Sequence, residues 1–95
     1  MGEQEPDCSQ LRIRTQLSTP NISVLATVSV GDVLDVSLAS AQGPIQVITA
    51  TGQVAGAIVS REQARLINCI SNGFTYQAEV LEIDGGNCKI FISAI

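Results

Sequence analysis

The chain has no histidine and no tryptophan, and its only aromatic rings are Phe74, Tyr76 and Phe91. Without histidine, the commonest general base and the commonest imidazole metal ligand are missing. With three rings in 95 residues, the core must be built from Val, Ile, Leu and Ala. β-branched side chains pack best on a pleated surface, so this composition favours strands. Cysteine is scarce too. Cys8, Cys69 and Cys88 are an odd count without C-x-x-C spacing, so no zinc site is expected. No run of about 18 apolar residues occurs, which excludes a hydrophobic membrane-spanning segment. The start, Met1 to Asp7, lacks the basic and apolar stretches of a signal peptide, so a cytoplasmic location is expected. In that reducing compartment the three cysteines read as free thiols.

Charge is sparse and unevenly placed. The formal net charge is −4, but Glu3, Glu5 and Asp7 carry three of the nine acids. Beyond residue 7, six acids face five bases, so the body is close to neutral. Such a body has no basic field to hold a phosphate backbone by counterion release. It also has no long acidic block that would mimic nucleic acid.

Met1 to Asp7 combines low hydrophobicity, Pro6 and three acids, and reads as a disordered leader ending at about residue 8. Residues 9–95 read as a single domain. Ser9 to Leu17 alternates, with Leu11, Ile13 and Leu17 on one face and Arg12, Arg14 and Gln16 on the other. Ser18–Thr19–Pro20–Asn21 ends that strand. Ile22 to Val30 reads either as a short extended piece or as a single turn. Val33 to Leu38 is the next strand, with Leu34, Val36 and Leu38 inward. After a small-residue loop from Ala39 to Gly43, Ile45 to Ala50 and Gln53 to Val59 form a hairpin about Thr51–Gly52. Gly56 inside that strand indicates a bulge or a close backbone approach.

One α-helix is expected over about residues 60–72. Ser60 and Gln63 have capping-box spacing, Ala64, Leu66, Ile67 and Ile70 give an inward stripe, and Gly73 provides a left-handed cap. Two further strands follow, Phe74 to Ile83 with a bulge near Val80, and a last strand with Cys88, Ile90, Ile92 and Ala94 on one face. Asp84–Gly85–Gly86–Asn87 joins them in a tight turn. The fold class is mostly β (α+β): a small six-stranded barrel of antiparallel hairpins with one helix, which pairs its own edges.

A search for chemistry yields structural explanations. Asp32 and Asp35 are three apart around a strand start and so point to opposite faces, as a turn aspartate and a solvated one. Asp84–Gly85–Gly86 precedes no helix, so it lacks the amide cluster of a phosphate loop. Ser60 has no neighbour to take its proton, and capping accounts for it. No catalytic residue, cofactor or metal is assigned. Arg12 and Arg14 share a strand face, Arg61 and Arg65 a helix face, and Lys89 lies on the last hairpin. These five are the candidate nucleic-acid contacts if the fold gathers them, and scattered solubilising charge if it does not. Single-strand binders also stack bases on aromatic rings, which are few here.

The segment from Gly31 onward carries a pattern in which Gly31–Asp32–Val33–Leu34–Asp35–Val36 and Thr51–Gly52–Gln53–Val54–Ala55–Gly56–Ala57–Ile58 precede Ser60–Arg61–Glu62–Gln63–Ala64–Arg65–Leu66 and Gly73–Phe74–Thr75–Tyr76–Gln77–Ala78–Glu79–Val80. Over about residues 31–95 this resembles the HIRAN domain, a small six-stranded barrel with one or two helices. The resemblance implies binding without catalysis. HIRAN domains grip the 3′ end of single-stranded DNA with a charged loop between their second and third strands and an aromatic. Here Ala39–Ser40–Ala41–Gln42–Gly43–Pro44 is uncharged, and Gly56 is followed by Ala57 where the family has an aromatic. The expectation is therefore a non-catalytic interaction module. It binds a protein partner or a second copy rather than nucleic acid, membrane or metal, with HIRAN-type DNA-end binding as the alternative.

Overall fold

A computed structural model describes residues 8–40 and 43–95. The expected leader, Met1 to Asp7, and part of the loop after the second strand lie outside the described residues. Six antiparallel strands form one strongly curled half-barrel sheet: β1 (Arg12–Gln16), β2 (Val33–Leu38), β3 (Ile45–Ile48), β4 (Val54–Ile58), β5 (Tyr76–Asp84) and β6 (Asn87–Ala94), in the spatial order β1-β6-β5-β2-β3-β4. Two short helices, α1 (Ile22–Leu25) and α2 (Gln63–Ser71), complete it, with a 3-10 turn at Cys8–Gln10. Of the two readings of residues 22–30 the single turn holds, as a helix, and the described residues contain two α-helices where one is expected.

Alternation in the sequence becomes alternation in burial. Ile13, Leu34, Ile45, Val47, Ile58, Tyr76, Ala78, Val80, Cys88, Ile90 and Ile92 line the concave side. Arg12, Arg14, Asp35, Glu79 and Lys89 stand on the convex side. Two irregularities sharpen the curl, since an extra residue in one strand increases local twist. In β4, Val47 pairs with Gly56 but Ile48 with Val54, which leaves Ala55 extra. In β5, Val80 pairs with Ile90 but Glu82 with Lys89, so Leu81 is the extra residue, at the bulge expected near Val80.

Each end of the curl is plugged. At one end, Asn21 caps α1 by accepting from the Ser23 and Val24 amides, and Val24, Leu25 and Val28 are buried. At the other end, α2 buries Leu66 and Cys69. Gly73, at φ +98°, ends α2: its own amide donates to the Ile70 carbonyl and the Phe74 amide to the Cys69 carbonyl, a Schellman closure that needs the left-handed residue. The N-terminus of α2 differs from expectation. The Ser60 hydroxyl accepts from the Glu62 amide, not from Gln63, and the capping residue is Glu62, whose side chain makes no capping hydrogen bond. A turn over residues 60–62 intervenes, so the helix starts later and Ala64 is exposed while Cys69 takes the inward position.

That inward position corrects the reading of the cysteines. Cys8 and Cys69 are joined by a disulfide between residues 61 apart in sequence, with Cα atoms 5.6 Å apart. Neither is a free thiol. Spacing along the chain does not reveal the pair, because it is created by the packing of α2 over the start of β1. The Tyr76 hydroxyl donates to the Cys8 carbonyl and fixes the same corner from the sheet side. Cys88 is the free thiol, fully buried on β6, and burial pushes its pKa above the ordinary 9.0. It stays protonated near neutrality and is correspondingly inert.

Candidate functional site

The two edge strands of the sheet meet only in part. The Leu17 amide donates to Cys88 in β6, and the next residue, Ser18, turns the other way. Its amide donates to the Ala57 carbonyl at 2.8 Å and its carbonyl accepts from the Ala57 amide at 2.9 Å. The Asn21 amide then donates to the Ala55 carbonyl at 2.8 Å. Residues 18–21 thereby cover the outer rim of β4. Gly56 makes this approach possible, for a Cβ there would lie 3.2 Å from Leu17 Cβ, Leu17 Cδ1 and the Ser18 carbonyl oxygen. Both readings of Gly56 hold, since the bulge and the close approach coincide.

Alternation carries the argument back along β1. Ile13, Thr15 and Leu17 direct their amides toward β6, so Arg12, Arg14 and Gln16 direct theirs away from it, like Ser18. Opposite them β4 has already ended at Ile58, and the chain has turned into α2. Among the described residues the sheet is therefore open along Arg12–Gln16. A groove of about 300 Å³ lies at its mouth, lined by Gln10, Leu11, Arg12, Glu62 and Arg65.

The five cations divide about this edge. Arg12 and Arg65 line the groove at its mouth. Arg14 and Lys89 line a second depression of about 460 Å³ on the convex face, with Gln16, Leu81 and Glu82. Arg61 lines neither. Arg65 pairs with Glu62 at 3.5 Å and Lys89 with Glu82 at 3.5 Å. Arg12 and Arg14 form no ion pair among the described residues. Arg14 instead lies over the half-buried Phe91, its guanidinium carbon 5.7 Å from the ring centre. Of the other rings, Tyr76 is core and Phe74 is exposed. The convex face thus grades from cationic at β1 to acidic at Glu79 and Glu82 on β5 and Asp35 on β2.

Several other polar side chains bond to the backbone. The Asp32 carboxylate accepts from the Ser29 amide at 2.9 Å, and Asp35 is exposed on the convex face, as the spacing implied. A depression of about 470 Å³ between the α1–β2 connection and the β3–β4 turn includes Thr27, Thr49, Thr51 and Gln53. There the Thr27 hydroxyl donates to the Val24 carbonyl, and the Thr49 hydroxyl accepts from the Gln53 amide. Among the described residues no group of three or more Cys, Asp or Glu is placed to hold a metal ion, and no helix is long and apolar enough to cross a membrane.

Side-chain patterning located Arg12 and Arg14 but not the backbone row between them. The only signal for it was the coincidence of a strand ending at Ser18–Thr19–Pro20 with a glycine at 56, and no sequence rule joins those two. Comparison of the chain with protein-family models, with curated proteins and with solved structures finds no match.

Proposed function

We propose that this domain is a non-catalytic interaction module that receives a protein partner or a second copy along β1. One observation supports the reading above others. Among the described residues, the rim of β4 is covered by residues 18–21, while the rim of β1 presents an unpaired backbone row beside two arginines without ion pairs. Unpaired strand edges are templates for added strands, and proteins ordinarily cover them when they serve no purpose. Light scattering over a concentration series, with amide chemical-shift mapping on the labelled chain, tests it. Concentration-dependent or partner-dependent shifts at Arg12–Gln16 are expected. Shifts confined to a different face would overturn the assignment.

A second reading, HIRAN-type binding of single-stranded DNA at its 3′ end, is favoured by Arg14 over Phe91 with Lys89 beside the same depression. A cation and a ring together suit a stacked base. Against it stand Glu82 on Lys89 and the near-neutral body. Titration with a 3′-ended oligonucleotide at low salt separates the two readings, since DNA binding must weaken steeply as salt rises. The compartment belongs to the proposal as well. The Cys8–Cys69 bridge supports an oxidising compartment in place of the expected cytoplasmic one.

A further inference from the structure

We infer that the partner segment is an extended acidic polypeptide, added as a seventh strand beside β1 with carboxylates at alternate positions; this rests on the reading of β1 as the interaction edge. The open row runs over Arg12–Gln16, five residues, which is roughly 17 Å of strand at 3.4 Å per residue and close to the commonest strand length. Its amides and carbonyls require a partner that returns amides and carbonyls at the same spacing. Another strand does so, and a sugar-phosphate backbone does not.

Charge then selects among strands. Arg12 and Arg14 lie two apart on one face of β1, so residues directly across from them in an added strand also lie two apart on that face. Both arginines are exposed and free of acidic partners among the described residues. Acids at the two opposing positions supply those partners, and the other arginine of the groove, Arg65, is already paired with Glu62. The same arginines act against a second copy. Antiparallel pairing of β1 with β1 over the whole five-residue row sets Arg14 against Arg14 of the other chain, and like charges directly opposite destabilise a ladder. Attraction to acids and repulsion of itself are the two halves of a specificity device.

The test uses the full chain, isotopically labelled, and three fluorescein-tagged probes at low salt. They are a nine-residue peptide alternating Glu with Thr, its counterpart alternating Lys with Thr, and a 3′-ended oligothymidylate. The expected result is one-to-one binding of the acidic peptide with shifts at Arg12, Arg14 and Gln16, at least tenfold tighter than the basic one. Methylating every second peptide nitrogen on the β1-facing edge should weaken it at least tenfold, a control that needs no protein variant. Arg12→Glu with Arg14→Glu should reverse the peptide preference. Equal binding of both peptides at β1 would overturn the acidic partner and leave the interaction edge standing. Unchanged affinity of the methylated peptide would overturn the added strand. Binding of the oligonucleotide alone would overturn both this inference and the function it rests on.

Discussion

The sheet has two rims, built from strands of equal length, and they are treated in opposite ways. β4 is apolar and built of small residues at its centre, with Val54, Ala55, Gly56, Ala57 and Ile58, and the chain lays its own residues 18–21 along it. β1 carries Arg12, Arg14 and Gln16 on its outer face, and no described residue covers its rim. An apolar edge invites indiscriminate pairing, so it must be closed. A cationic edge repels its own copies and can remain exposed. The difference shows that the opening is guarded by charge and that its guard also sets what may enter.

An open strand is paired on one side only and needs another anchor. The Cys8–Cys69 bridge is that anchor, tying the start of β1 to α2. The largest expected effect therefore follows from breaking it. Cys8→Ser with Cys69→Ser should cost about 4 kcal/mol on a chain-entropy estimate for a crosslink spanning 61 residues. Urea denaturation measures the loss. Amide exchange should rise more in β1 than in β4, and an equal rise in both would remove the distinction between the rims.

The closed rim is broken from within at Gly56. Gly56→Val places methyl groups against Leu17 and the Ser18 carbonyl, a backbone atom that cannot move without opening the Ser18–Ala57 pair. The expected cost is about 2–3 kcal/mol, read from the urea midpoint. A smaller, opposite effect is expected at Thr19, whose φ of 44° is a left-handed conformation that β-branched residues resist. Thr19→Gly should stabilise by about 1 kcal/mol, because the turn that carries the chain from one rim to the other holds the strain. Thermal unfolding measures it. Smallest is Arg14→Ala, which should cost about 0.5 kcal/mol through the lost contact with Phe91. A larger loss would mean that this arginine supports the fold more than it guards the edge.

The sheet was legible in the sequence because period-2 alternation in β1, β2, β5 and β6 maps directly onto one curled surface. The turns at Gly52 and Gly85–Gly86 and the helix stop at Gly73 were legible for the same local reason. The start of α2 was not. Ser60 has capping-box spacing from Gln63, but an intervening turn brings Glu62 into bonding range first. The disulfide was hidden because it depends on α2 lying over residue 8, a contact across most of the chain. The site was half legible. Alternation placed Arg12 and Arg14 on one face, yet whether their backbone is paired depends on where β4 ends, and that is fixed by the Ser18–Ala57 pair.

Native-state hydrogen exchange resolved by residue tests the account most directly. The amides of Ile13, Thr15, Ser18, Asn21 and Ala57 should be protected, and those of Arg12, Arg14 and Gln16 should exchange rapidly within the same folded molecule. Protection of Arg12, Arg14 and Gln16 equal to that of Ile13 and Thr15, in the isolated chain at low concentration, would contradict an open edge.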